Sequence, residues 1–146
     1  MKKLFTLLLS LMMILTLTAC GSKEETPVAG ANDETKTYTV GMVCIGNAEM
    51  AYDRNFYNAA DAAKEVLASK GINIEWKYTY DHPEGDPVAD DCIEFAEDGA
   101  IAVFLNSYGM ENAMLRVAGD YPDTVFASLT NEGSKSDDLA NTVNAF

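Results

Sequence analysis

From residue 37 onward, strand-like runs alternate with helix-like stripes, and this alternation constrains the fold more than any other feature of the chain. Residues 38–45 (YTVGMVCI) are apolar on both faces, with Val40 and Met42 on one and Val43 and Ile45 on the other. An interior parallel strand covered on both sides has this pattern. Phe56, Ala60, Ala63 and Leu67 then recur at helical spacing, with Asp53 as an expected N-cap and Gly71 as a stop. Residues 72–80 alternate strictly: Ile72, Ile74, Trp76, Tyr78 and Tyr80 share one face, while Asn73, Glu75, Lys77 and Thr79 share the other. Strict alternation marks a strand with one solvated face, which belongs at a sheet edge.

The pattern continues. Asp86-Pro87 predicts a helix start and Gly99 its end. Residues 100–105 (AIAVFL) form an unbroken apolar run, hence a second interior strand. Ser107 is the expected cap of a third helix, whose buried stripe is Met110, Met114, Val117 and Tyr121. A fourth strand is expected over residues 124–129, and a fifth begins near Thr142. Strict βα alternation predicts an α/β fold, a parallel sheet with helices on both faces. One edge strand and two interior strands, joined by right-handed crossovers, give the spatial order 2-1-3-4. Phe146 falls inside the apparent fifth strand, so the natural protein is expected to continue into a larger, two-lobed molecule.

The first 36 residues read differently. Lys2 and Lys3 precede the apolar run LFTLLLSLMMILTLTA, which describes a signal peptide over residues 1–19. The ending Leu17-Thr18-Ala19-Cys20 resembles a bacterial lipobox, which implies cleavage before Cys20 and diacylglyceryl attachment to it. The address is then the extracytoplasmic face of the cell membrane, lipid-anchored. Residues 20–36 (CGSKEETPVAGANDETK) are small and polar, a tether between anchor and domain. The whole sequence carries 10 Lys and Arg against 23 Asp and Glu, a formal net charge of −13. Such a surface repels nucleic acid and anionic headgroups, so membrane contact is expected through the lipid alone. Cys44 and Cys92 are left as thiols near one edge of the sheet, where a disulfide and two separate buried thiols are both open.

In open α/β sheets ligands bind outside the carboxyl ends of the strands. Asn47, Asp53 and Phe56 follow the first strand, and Asn106, Ser107 and Tyr108 follow the third. These six are the candidate ligand-binding residues: Phe56 or Tyr52 offers an aromatic face, and the polar groups offer hydrogen bonds. Each also has a structural reading. Phe56 begins the apolar stripe of its helix, Asp53 and Ser107 sit at cap positions, and Tyr108 sits where it would cover a helix start. Catalytic signatures are weak. His82 is the only histidine, Gly41 to Gly46 is not followed by Lys-Ser or Lys-Thr, and no G-x-G-x-x-G follows the first strand. Asp86, Asp90 and Asp91 lie in a first helical turn, where the helix dipole explains them, and their spacing is not that of a calcium loop. The expectation is a binding protein without cofactor or metal, and not an enzyme.

The pieces VGMVCIG, DRNFYNAA and FAEDGAIAVFLNSYGMENAMLRVAGDYPDTVFASLTN resemble the basic membrane protein family, nucleoside-binding lipoproteins of ABC-type uptake systems. The turn Pro83-Glu84-Gly85 resembles one branch of that family. The resemblance implies the N-terminal lobe of a type I periplasmic-binding-protein fold, a purine nucleoside as ligand, and an ABC permease as partner. It implies base stacking at Phe56, an acidic residue at Asp53, and Asn47 where an Asp is common. Tyr57 replaces a usual Asn, and Glu49-Met50 a usual Gly-containing turn. A sugar or flavin ligand, or a sensing role beside a membrane receptor, are the alternatives.

Overall fold

The computed structural model describes residues 36–130 and 139–144. The expected leader, Cys20, all but the last residue of the tether, and the loop 131–138 lie outside the described residues. Five strands make one sheet: β1 (Thr37–Val43), β2 (Asn73–Thr79), β3 (Ala102–Leu105), β4 (Val125–Ser128) and β5 (Thr142–Asn144). Every pairing is parallel, in the order β2-β1-β3-β4-β5. The order expected from strand composition is the one observed, with β5 added beyond β4. The helices are α1 (Ala51–Ala68), α2 (Val88–Glu97) and α3 (Glu111–Ala118), the last preceded by a 3-10 turn over Tyr108–Met110.

Two apolar clusters sandwich the sheet. Successive residues of a strand point to opposite faces, and β1 divides accordingly. Val43 joins Val88, Cys92 and Phe95 of α2, Met114 and Val117 of α3, and Leu105 and Phe126 of the central strands. Met42 and Cys44 join Ala60 of α1, with Phe56, Tyr57, Trp76, Tyr78 and Phe104 packed around them. Helices therefore cover both faces, α1 on one and α2 with α3 on the other. Gly41 of β1 lies under the ring of Phe95: a Cβ there would stand 2.7–3.0 Å from three of its ring carbons.

Several local expectations are corrected. α1 begins at Ala51, two residues before Asp53, and no side chain caps it. Asp53 is instead fully buried and faces the sheet. α2 begins at Val88 rather than after Asp86, and the Asp86 carboxylate accepts from Arg116 Nη2 at 2.7 Å. Ser107 precedes the 3-10 turn but makes no capping hydrogen bond. Of the α1 stripe only Ala60 is fully covered, whereas Met110, Met114 and Val117 of the third stripe are all buried. The polar face of β2 is also less solvated than its alternation suggests. Lys77 pairs with Asp98 at 3.2 Å, and Thr79 donates to Asp91 at 3.3 Å, because α2 lies along that side.

Cys44 and Cys92 are free and buried. They belong to clusters on opposite faces of the sheet, which rules out a bond between them. Burial pushes the Cys44 thiol up to about 11 and the Cys92 thiol up to about 12. Both are protonated at neutral pH, and the thiolate is the nucleophile. Iodoacetamide at pH 7.5, followed by peptide mass mapping, is expected to modify neither residue in the folded protein and both in denaturant. Because folding raises these pKa values, the two thiols contribute stability that is fully present below the ordinary thiol range and is lost as pH rises from that range through the folded values.

Candidate functional site

The strand order places a topological switch between β1 and β3. From β1 the chain crosses to β2 on one side, and after β2 it returns to β3 on the other. The connections leaving β1 and β3 run in opposite directions there, the topological position at which open α/β sheets bind ligands.

Three side chains converge at that point. Asp53, on the first turn of α1, lies with 0 % exposure behind the loop that leaves β1. Its Oδ1 accepts from Gly46 N–H at 3.1 Å and from Asn106 Nδ2 at 2.7 Å. Asn106, also fully buried, accepts from Ile45 N–H at 2.9 Å through its Oδ1. Tyr52 donates its hydroxyl to the Asn106 carbonyl at 2.5 Å. The β1 and β3 exits are thus joined through one carboxylate and one amide. Asp53 Oδ2 has no hydrogen-bond partner although it is buried, and such a group is costly inside a protein.

An aromatic rim surrounds this polar centre. Tyr52 is 45 % exposed, and its ring meets Phe56 edge-on with centroids 5.1 Å apart. Phe56 itself is half-buried against the Met42–Cys44–Ala60 cluster. Tyr108, at the β3 exit, is 53 % exposed. Asn47 is turned toward the β2 exit: its Nδ2 donates to both carboxylate oxygens of Asp81, at 2.8 and 3.0 Å, while its Oδ1 accepts from Glu49 N–H. Ser107 donates its hydroxyl to Glu84 Oε1.

Of the six residues singled out from sequence, Asp53 and Asn106 bond directly, and Ser107 and Tyr108 continue from Asn106. Phe56 joins them through Tyr52, and Asn47 stands one loop away. Glu84 and Asp81 were absent from that set. The only sequence signal for Glu84 was its place in the turn Pro83-Glu84-Gly85, and Asp81 had none beyond a loop composition. A separate cleft of about 300 Å³ opens between β2 and α2, lined by residues including Lys77, Thr79, Asp91 and Glu94. It contains none of the six. Among the described residues no cluster of three or more His, Cys, Asp and Glu is placed to hold a metal ion. No described helix is long and apolar enough to cross a membrane.

The chain matches no protein-family model and no curated protein sequence. Solved structures do match. An ABC transporter system solute-binding protein from Conexibacter woesei DSM 14684 superposes with a TM-score of 0.54 at 20% identity, over 73% of this chain and 34% of its own. A second such protein, from Aeropyrum pernix K1, gives a TM-score of 0.54 at 15% identity, over 73% of this chain and 28% of its own. The chain shares their fold. A fragment of a candidate lipoprotein from Peptoclostridium difficile 630 gives a TM-score of 0.55 at 18% identity, over 73% of this chain and 83% of its own. The chain thus spans about a third of the length of the two solute-binding proteins it matches. What is common to all of them is the α/β architecture, on which many different sites can be built.

Proposed function

We propose that this chain is one lobe of a lipid-anchored solute-binding protein that delivers a nucleoside, a purine nucleoside first among candidates, to an ABC permease. Cys20 carries the lipid, residues 20–36 are the tether, and the ligand sits at the carboxyl edge of the sheet until a second lobe closes over it. The observation that carries this reading is the convergence of Asp53, Asn106 and Tyr52 on the switch between β1 and β3. A purine would lie against Tyr52 and Phe56, the hydroxyls or ring nitrogens of the ligand would meet Ser107 and Tyr108, and the buried Asp53 and Asn106 would fix the loops that present them. One stack is worth about 1–3 kcal/mol, and a micromolar complex needs about 8 kcal/mol. The remainder is assigned to hydrogen bonds and to the second lobe. No bond of the ligand is broken in this scheme.

Calorimetric titration of the complete mature protein with adenosine, guanosine, inosine, uridine, ribose and riboflavin tests it. Saturable binding of a purine nucleoside, recovered unchanged, is the expected result. Binding of ribose or riboflavin alone, or conversion of the nucleoside, would overturn the ligand assignment. Phe56→Ala is expected to weaken the purine nucleoside about tenfold or more, in line with the loss of one stack. A Phe56 that serves packing alone would show a lower melting temperature with unchanged affinity.

A further inference from the structure

The donors at the exit of β3 are already engaged by a group from elsewhere in the chain. Glu84, in the loop that follows β2, reaches across to the β3 exit. There its Oε1 accepts from the Ser107 hydroxyl and, at 3.0 Å, from Gly109 N–H. Gly85 N–H donates to the Gly109 carbonyl at 3.2 Å, which ties the same loop down a second time. The two donors on its carboxylate, Ser107 first, hold Glu84 below the usual carboxylate range, so the group is ionised at neutral pH.

Position 109 is shaped for this carboxylate. A Cβ on Gly109 would stand 2.5 Å from Glu84 Cδ and 2.7 and 2.8 Å from its two oxygens. Gly109 does not have the positive φ that would reserve its place for glycine on backbone grounds. The missing side chain makes room for Glu84. Asp53 lies behind the β1 exit, and Asp81 is held by Asn47. The arginines of the flanking helices, Arg54 and Arg116, are engaged elsewhere. Arg54, on α1, is turned back onto the carbonyls of Ala48 and Glu49, at 3.0 and 3.1 Å. Arg116 is committed to Asp86.

We propose that Glu84 is a built-in anion that occupies the Ser107–Gly109 donor pair and so excludes anionic ligands from the neighbouring site. Among the described residues, the Ser107 hydroxyl and Gly109 N–H that a ligand carboxylate or phosphate would seek at the β3 exit are already taken, and the group that takes them is itself negative. A hydroxyl-bearing ligand can still donate to the remaining lone pairs of Ser107 Oγ. The proposal rests on the placement of the site given above but not on the ligand being a nucleoside. If it holds, a phosphorylated form of the solute must first lose its phosphate by hydrolysis of the phosphoester, water giving the free hydroxyl and inorganic phosphate, before this protein can bind it.

The test uses complete mature protein labelled with ¹⁵N, titrated with sodium acetate at pH 7 and with sodium chloride as the ionic-strength control. The backbone amide at position 109 is the readout. Wild-type protein is expected to show no saturable acetate shift. Glu84→Ala and Glu84→Ser, each of which removes the internal anion while leaving the Gly109 N–H and the space beside it open, are both expected to show one. Inosine and inosine 5′-monophosphate supply a second arm, in which Glu84→Ala should raise affinity for the monophosphate at least tenfold relative to inosine. Saturable acetate binding by wild type, or none by either folded variant, would overturn the proposal. If inosine fails to bind while the amide result holds, the nucleoside assignment falls and the role of Glu84 stands.

Discussion

Asp53→Ala is expected to cost the fold roughly 2–6 kcal/mol, the sum of two donors left unpaired in the interior at about 1–3 kcal/mol each. The donors are Gly46 N–H and Asn106 Nδ2, and the Asp53 side chain that serves them is fully buried. The loss reaches both strand exits, because Asn106 in turn holds Ile45 N–H. Asp53→Asn separates the hydrogen bonds from the charge. Its amide oxygen can replace Oδ1 as acceptor for both donors, and its amide nitrogen takes the place of Oδ2, which has no partner in the wild-type fold. The asparagine variant should therefore stay within about 1.5 kcal/mol of wild type. Urea unfolding of the complete protein, with midpoints compared at constant m, measures both. Equal losses for the two variants would mean that charge, rather than hydrogen bonding, ties the exits together.

Gly41→Val is the second large effect. The Cβ would enter the Phe95 ring, at 2.7–3.0 Å from three of its atoms, in a strand whose neighbours β2 and β3 are already paired. Overpacking of this kind costs about 1–3 kcal/mol and sometimes more. The ring is the group that can yield, so Phe95→Ala in the same molecule should recover part of the loss. The coupling energy from the double-mutant cycle is expected to be favourable by about 1–2 kcal/mol. Strictly additive losses would show that β1 strains elsewhere, away from the ring.

The architecture was legible because burial on two faces and burial on one face leave different marks in sequence. The runs at Val40–Val43 and Ala102–Leu105 carry no polar residue and became interior strands, while the alternation from Ile72 to Tyr80 became an edge. Asp53 was not legible in the same way. An acid near a helix start has a local explanation as a cap, and its true partner, Asn106, lies 53 residues away. That partnership exists only once β1 and β3 lie side by side. Glu84 was hidden for a similar reason: a turn composition says nothing about where a side chain lands. Asn47 and Asn106 were both placed at a strand exit by their position, yet only Asn106 reaches the switch. Asn47 is drawn off by Asp81, a residue whose positive φ of 50° belongs to the turn after β2.

The sheet also dictates a schedule of assembly. All of its pairings are parallel, so no two successive strands can zip together as a hairpin. As the chain leaves the ribosome, β1 must wait for Thr79 before it gains one neighbour and for Leu105 before it gains the other. Contacts so distant along the chain form slowly. For much of its synthesis the polypeptide is therefore without a finished core, and its interior strands stay open to other partners until Leu105 has emerged.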